Sequence, residues 1–176
     1  MTLAIEPAVS PEEIETARLL LREYAAYLND SLGAEHICLN SYEHELAALP
    51  GPYAAPMGTI LLAYADSQPA GCAALKPLLH DRATEAGESA CEMKRLWVRP
   101  AFRGRSIGLA LGEGLVEFAR TRGYTAMYLD TVPGAMRSAN AIYRKMGFRR
   151  VERYNTNPIL GPNPALAVEF FRLSLR

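Results

Sequence analysis

The sequence predicts a single α/β domain over residues 1–176, with about seven strands and about four helices. The first observation behind this is the order of its segments, in which apolar runs of strand length alternate with amphipathic stretches at helical spacing. The second is its length, because 176 residues can bury one substantial core. The third is that no repeat, low-complexity tract or linker divides the sequence.

A strand and two helices are predicted first, over residues 3–9, 10–28 and 42–49. Ser10 is a favourable helix cap, Pro11 suits the first helical position, and Glu13 completes a capping box. Apolar residues then recur at helical spacing. The second helix ends before Pro50, because the Pro-Gly-Pro stretch that begins there breaks helices.

Three strands are predicted next, over residues 59–64, 69–77 and 90–98. A turn at Asp66, Ser67 and Gln68 joins the first two as a hairpin. Residues 80–88 are polar and small, and we expect a mobile loop there.

The second half of the chain predicts helix, strand, helix and a final pair of strands, over residues 106–122, 125–131, 134–146, 148–154 and 165–175. Gly147 suits the residue after the second of these helices, where a left-handed conformation is common. The final two strands are expected to pair antiparallel. Residues 155–164 contain three prolines and predict an ordered loop.

The composition excludes several classes of protein. Lysine plus arginine and aspartate plus glutamate number 19 each, so no net charge attracts nucleic acid or an anionic membrane. No stretch is long and apolar enough to span a bilayer, and we expect no secretory signal. Cys38, Cys72 and Cys91 are scattered and odd in number, which indicates reduced, mostly buried thiols of a cytoplasmic protein.

The segment most informative about function follows the strand that ends at Val98. A basic turn of small residues leads from it into the helix that begins near Ser106. The N-terminus of a helix presents unpaired N–H groups and about half a positive charge, so it favours an anion. Arg103 and Arg105 add formal charge beside that point. We expect a phosphate or pyrophosphate ligand.

This turn resembles motif A of the GNAT family of N-acetyltransferases, which reads Arg/Gln-x-x-Gly-x-Gly/Ala. Arg103, Ser106 and Gly108 stand in those places, with Ser106 in place of the usual glycine. If residue 106 needs a positive φ, serine costs energy that glycine does not, although its hydroxyl can donate to a phosphate. The resemblance implies acetyl-CoA as cofactor, held by Leu96, Trp97, Val98, Arg103, Gly104, Arg105, Ser106, Ile107 and Gly108.

The last helix carries a second part of the resemblance. Family members commonly end it with Ala-x-x-x-Tyr-x-x-x-Gly-Phe, which is reproduced by Ala139, Tyr143, Gly147 and Phe148. This implies that Tyr143 protonates the departing thiolate; the alternative is a core tyrosine with its hydroxyl at the surface. Met136 replaces an asparagine often found one turn before the alanine, and Asn140 is the candidate to make that cofactor contact.

The order of elements also matches the GNAT fold. The resemblance therefore implies a central mixed, mostly antiparallel sheet that splays between its fourth and fifth strands, where the pantetheine arm passes. The main chain of Leu96, Trp97 and Val98 is then expected to hold that arm and to polarise the thioester carbonyl. A homodimer through the final strands is compatible with this arrangement.

Glu92 is the candidate catalytic base. An alkylammonium of pKa ~10 must lose a proton before it attacks a thioester. Strand alternation places on one face Glu92, Lys94, Leu96 and Val98, and puts Arg95 on the other. Some GNAT members carry a catalytic glutamate at the matching place. The alternative is that Glu92 pairs with Lys94 or with a cation across the sheet.

Acceptor-binding residues are expected on the first two helices, the last loop and the fourth strand. The candidates are Tyr24, Lys94, Tyr154 and Asn155. Lys94 is able to attract a substrate carboxylate or to depress the pKa of Glu92. We expect no metal, because His36, Cys38 and His44 lack zinc-site spacing, and no serine hydrolase, because the sequence has no GxSxG.

These features together predict an acetyl-CoA-dependent N-acetyltransferase. Its acceptor would be the primary amine of a small metabolite or amino-acid-like compound, attacking directly in a ternary complex. Two alternatives remain: an acetyltransferase for protein N-termini or lysines, and a non-catalytic module that binds or senses acyl-CoA.

Overall fold

A central sheet organises the protein, in a computed structural model that describes residues 2–32, 39–78, 87–134, 136–155 and 168–176. Within these residues the seven strands are β1 (Leu3–Pro7), β2 (Thr59–Ala65), β3 (Gln68–Pro77), β4 (Ala90–Val98), β5 (Ala126–Thr131), β6 (Arg149–Val151) and β7 (Glu169–Ser174). The four α-helices are α1 (Pro11–Leu32), α2 (Leu39–Ala47), α3 (Ile107–Thr121) and α4 (Arg137–Lys145). The strand order is β1-β2-β3-β4-β5-β7-β6. Neighbours are antiparallel except for β4 and β5, so the predicted mixed, mostly antiparallel sheet is confirmed.

The start of α1 forms the predicted capping box. The amide of Glu13 donates to Ser10 Oγ at 3.2 Å, and the amide of Ser10 donates to Glu13 Oε2 at 2.7 Å. These bonds satisfy N–H groups that the first turn of a helix leaves without a partner. The helix continues to Leu32, beyond the predicted end at residue 28.

Side chains from the two faces of the sheet form two large apolar clusters. On one face α3 buries Ile107, Leu111 and Leu115 against the inner strands. On the other face α1 and α2 pack Leu20, Leu21, Tyr42 and Leu46 against β2, β3 and β4. Each of these fully buried leucines stabilises the fold by ~2 kcal/mol.

Two glycines of α3 illustrate how closely this helix packs. A Cβ on Gly114 would lie 3.0 Å from Leu61 Cδ1 of β2, so the absence of a side chain lets the helix lie close on the sheet. A Cβ on Gly112 would instead lie 2.8 Å from the sulfur of Met146, at the end of α4.

A bulge in β4 overturns the predicted alternation of its side chains. Arg95 has a φ of 61°, and the register with β3 shifts between the pairs Ala74–Lys94 and Cys72–Trp97. An extra residue in one strand reverses the alternation beyond it. Leu96 consequently packs on the α3 face, opposite to Lys94, and Val98 also lies towards α3. The predicted face shared by Lys94, Leu96 and Val98 is therefore wrong. Arg95, predicted on the opposite face, lies on the same face as Lys94, where it contacts Glu45 of α2.

The strands β4 and β5 separate soon after they pair. In the described part of the chain their register covers three residue pairs, from Ala90–Ala126 to Glu92–Tyr128. Beyond Glu92 the two strands diverge around a space that both of them line. The splay predicted between the fourth and fifth strands is confirmed.

Other expectations concern the thiols, the membrane and the loops. Cys72 and Cys91 are buried free thiols, and burial raises the pKa of Cys72 to about 12. Among the helices that the structure describes, none has the length and apolar character that crossing a membrane requires. The predicted loops at 80–88 and 155–164 lie largely outside the described residues, as do His36 and Cys38.

Candidate active site

The opening between β4 and β5 leads into a cleft of about 610 Å³. Its walls are the end of β4, the turn before α3, the first turn of α3 and one side of α4. Eight of the predicted cofactor residues line it: Leu96, Trp97, Val98, Arg103, Gly104, Ser106, Ile107 and Gly108. Arg105 stacks instead over the ring of Phe102, with its Cζ atom 5.7 Å from the ring centroid.

The turn before α3 has the conformation of an anion-binding loop. Gly104 has a φ of 77°, and Ser106 caps the helix in a left-handed conformation with a φ of 59°. The amide of Ala110 donates to the Ser106 carbonyl at 3.0 Å. The amides of Ile107, Gly108 and Leu109 precede the first hydrogen bond of the helix, so no helical carbonyl one turn back accepts from them. All three residues line the cleft. This arrangement fits the pyrophosphate of a coenzyme A group.

Cationic side chains surround that turn. The guanidinium of Arg103 contacts two neighbouring rings, with its Cζ atom 4.8 Å from the centroid of Tyr27 and 4.9 Å from that of Trp97. Arg103 Nε also donates to the Val98 carbonyl at 3.1 Å. Arg137 and Lys145, at the two ends of α4, line the same cleft. The site is therefore positively charged where phosphates are expected.

A smaller chamber of about 50 Å³ adjoins the cleft on the side of α1. Leu96 and Met136 line both spaces and so mark their junction. The chamber brings together residues of α1, β4, β5 and α4, among them Tyr24, Lys94, Asp130 and Tyr143. A small group that enters this chamber meets the inner end of the cleft.

Tyr143 projects from α4 into the chamber. The residue is 5% exposed, and its ring packs edge-on against Phe148 at a centroid distance of 5.9 Å. Burial raises the pKa of Tyr143 well above its usual value, and the neighbouring Tyr24 and Asp130 reinforce the effect. Its hydroxyl therefore keeps its proton at any pH near neutral, as a general acid must.

Glu92 is 1% exposed and accepts hydrogen bonds from three side chains. Its Oε1 atom accepts from Asn155 Nδ2 at 2.7 Å, Tyr154 OH at 2.9 Å and Lys94 Nζ at 3.3 Å. Lys76 Nζ lies 3.2 Å from Oε2. Three of the predicted acceptor-binding residues, Lys94, Tyr154 and Asn155, thus contact Glu92, and both ion pairs considered as alternatives to a base are present.

Lys94 links Glu92 to a second carboxylate, that of Asp130, and both Lys94 and Asp130 line the chamber. Its Nζ atom donates to Asp130 Oδ1 at 2.8 Å. Burial by itself would lower the pKa of Lys94, but Asp130 and Glu92 outweigh burial and raise it, so this residue stays a cation. Sequence reasoning does not identify Asp130. The signal that points to it is an acidic residue in the otherwise uncharged strand Ala126–Thr131.

Asn140 is turned away from the cleft. It is 6% exposed, and its Nδ2 atom donates to the Met136 carbonyl at 2.9 Å and to Thr131 Oγ1 at 3.3 Å. These bonds direct the side chain between α4 and β5, because Thr131 ends that strand. Asn140 therefore lies beside β5. It does not line the cleft in which its contact with the cofactor was predicted.

Comparison with known sequences gives consistent matches. The family model described as Acetyltransferase (GNAT) family matches residues 30–148. An uncharacterized N-acetyltransferase of Schizosaccharomyces pombe is 30% identical over 174 residues, which are 98% of this chain and 95% of that protein. The N-acetylaspartate synthetase of Danio rerio is 39% identical over 64 residues, which are 36% of this chain and 22% of that protein.

Solved structures show the same fold. A GNAT-family acetyltransferase of Staphylococcus aureus has a TM-score of 0.71 at 17% identity, with 99% of this chain and 100% of that chain covered. The structure of yncA from Salmonella typhimurium, solved with its cofactor acetyl-CoA, has a TM-score of 0.66 at 16% identity, with coverage of 100% and 95%.

Proposed function

Since this chain belongs to the GNAT family of acetyltransferases, enzymes that use acetyl-CoA, we propose that it acetylates the primary amine of a small metabolite or amino-acid-like acceptor. The acceptor attacks directly, in a ternary complex. The observation that carries the proposal is the chamber of about 50 Å³ at the end of the cleft, where Lys94, Asp130 and Tyr143 meet. A small chamber with charged and hydroxyl-bearing walls suits a small polar amine.

The cleft fits the coenzyme. The amides of Ile107, Gly108 and Leu109 and the charge of Arg103 suit the pyrophosphate. The separation of β4 from β5 leaves backbone groups near Leu96 facing the opening, where the pantetheine arm is expected to lie. When bound, acetyl-CoA supplies an acetyl group activated as a thioester.

Tyr143 is the proposed general acid. It lines the chamber, as does Leu96, which also lines the cleft where the sulfur is expected. Its hydroxyl carries a proton that it can give to the thiolate as the C–S bond breaks. The amine nitrogen gains the acetyl carbon in the same exchange.

Glu92 is the proposed base. An ammonium acceptor loses two protons overall: one passes through the base to solvent, and the other restores the hydroxyl of Tyr143, whose own proton has gone to the thiol of CoA. The Glu92 carboxylate contacts Lys94, which lines the chamber, and this contact supports the assignment.

One relative supports an amino-acid-like acceptor. The N-acetylaspartate synthetase of Danio rerio is named for an N-acetylated amino acid, and it matches 36% of this chain.

The test is the release of free CoA from acetyl-CoA by the purified protein. Amines, polyamines, amino acids and peptides are supplied in turn, with a control lacking acceptor. We expect release that depends on a small amine. Peptides that outperform every small amine would indicate a protein acetyltransferase instead. No release with any acceptor, while calorimetry shows that acetyl-CoA binds, would contradict the proposal and favour a binding module.

A further inference from the structure

The chamber is lined by both members of an ion pair. Lys94 and Asp130 line the chamber, and Lys94 Nζ lies 2.8 Å from Asp130 Oδ1. Both side chains are almost fully buried, at 10% and 4% exposure. A buried pair of opposite charges at the wall of a binding site presents a donor for an anion beside an acceptor for a cation.

We infer that this pair selects an α-amino acid as the acceptor, with Asp130 receiving the ammonium group and Lys94 the α-carboxylate. The inference rests on the proposed function and narrows its acceptor class. Lys94 and Asp130 act as specificity-determining residues.

Charge balance is the first argument. Lys94 and Asp130 line the chamber, and behind them Glu92 pairs with both Lys94 and Lys76, so two negative charges balance two positive ones. Arg95, which also lines the chamber, is paired with Glu45. The described charges therefore cancel. A simple ammonium would bring an uncompensated charge into a buried site at a large cost, whereas a zwitterion brings its own counter-charge.

Donor capacity is the second argument. An ammonium group has three N–H donors. Within the part of the chain that the structure describes, Lys94 gives two of them to Glu92 and Asp130. The third can bind the substrate carboxylate without breaking either bond.

Spacing is the third argument. The two charged atoms are 2.8 Å apart, so an acceptor that engages both must carry its own charges side by side. The ammonium and carboxylate of an α-amino acid share one carbon and meet this condition. A β- or γ-amino acid does not meet it, because further carbons separate its two charges. An alkylamine and a peptide N-terminus do not meet it, because they lack a carboxylate next to the amine.

The other walls indicate the side chain. They include the apolar residues Leu28, Met93, Leu96, Val132 and Met136, and the chamber is small, at about 50 Å³. We therefore expect small, uncharged α-amino acids to be the best acceptors.

The experiment compares matched acceptors on the wild-type protein. Glycine, alanine and serine are each tested beside the decarboxylated amine and the carboxamide, with β-alanine as the spacing control. We expect kcat/KM for the α-amino acid to exceed that for each analogue by about 10- to 100-fold, the effect of one or two charge-assisted hydrogen bonds. The carboxamides are a stringent control, because their amines lose a proton more readily.

Variants of Lys94 and Asp130 then assign the selectivity. In Lys94→Gln we expect the preference for alanine over ethylamine to fall at least tenfold, mainly through KM for alanine. Asp130→Asn should weaken both acceptors. If Lys94→Gln does not fold, the wild-type acceptor series still decides.

The outcomes separate the two proposals. Acetylation of ethylamine and alaninamide as fast as alanine would overturn the zwitterion inference and leave the transferase intact. If no acceptor is acetylated, the transferase proposal fails, and calorimetric titration of the protein–CoA complex with alanine and ethylamine tests selectivity separately. Equal or absent binding of the two would overturn the inference, and selective binding of alanine would support it.

Discussion

Lys76 and Glu92 lie opposite each other in the register of β3 and β4, and Lys76 Nζ is 3.2 Å from Glu92 Oε2. Lys94 approaches the other carboxylate oxygen of Glu92 at 3.3 Å. Glu92 thus bridges β3 to Lys94, which lines the chamber. Its contribution to stability and its proposed role as a base are separable by measurement.

Replacing Glu92 with glutamine tests both roles. Glutamine can still accept from Tyr154 but leaves two lysines without their shared anion, so we expect the free energy of unfolding to fall by about 2–4 kcal/mol. The alkaline rise in kcat/KM should become flatter. Denaturant unfolding and a pH–rate profile measure these effects. Lys76→Met is the control, because it removes one partner of Glu92 but keeps the carboxylate, so the alkaline rise should remain. A normal profile in Glu92→Gln would remove the assignment as base.

The turn before α3 allows a reciprocal pair of substitutions. Ser106 has a φ of 59°, which costs a residue with a Cβ about 1–2 kcal/mol. After the larger entropy of unfolded glycine is subtracted, Ser106→Gly should raise the free energy of unfolding by about 0.5–1 kcal/mol. Gly104→Ala, at a φ of 77° with open space around the new Cβ, should lower it by a similar amount. If urea unfolding shows that both substitutions raise the free energy of unfolding, or that both lower it, this account of the turn is contradicted.

Arg103 should contribute to coenzyme binding more than Arg105 does. Arg103 lines the cleft, whereas Arg105 stacks over Phe102. We expect Arg103→Met to weaken CoA binding about tenfold, the effect of one charge-assisted hydrogen bond, and Arg105→Met to have a smaller effect. Trp97 is the single tryptophan of the chain and touches Arg103, so its fluorescence reports binding directly. Equal losses in both variants would argue against the assignment.

The pair between Arg95 and Glu45 predicts an acid-sensitive contribution to stability. Burial alone would raise the pKa of Glu45, but hydrogen bonds from Arg95 outweigh it and hold that pKa below 4.5. A carboxyl whose pKa is lowered by folding stabilises the protein above its unfolded pKa, and this contribution is lost as the pH falls through the folded pKa. Glu45→Gln should cost about 3 kcal/mol at pH 7. The difference from wild type should shrink below about pH 4.5, as followed by denaturant unfolding, and a constant difference would contradict the assignment.

Much of the fold was predictable because local signals agree with it. The bounds of β4 match the prediction to the residue, and the Ser10–Glu13 capping box begins α1 where expected. The bulge at Arg95 was not predictable from local sequence. It occurs together with a bond from Arg95 to Glu45 of α2, which is 50 residues away in sequence. Asp130 was missed for a related reason: its place beside Lys94 depends on the pairing and divergence of two strands, which no local pattern encodes.

The most direct test of the account is the turnover of Tyr143→Phe, measured as release of CoA. The change removes a single hydroxyl from the chamber. Tyr124→Phe is the matched control, since that hydroxyl donates to the Met57 carbonyl and does not line the chamber. We predict that kcat falls by about 10²- to 10³-fold in Tyr143→Phe, with the Kd for acetyl-CoA within about twofold of wild type and Tyr124→Phe close to wild type in both. Unchanged kcat in Tyr143→Phe would contradict the proposal that this tyrosine is the acid of the reaction.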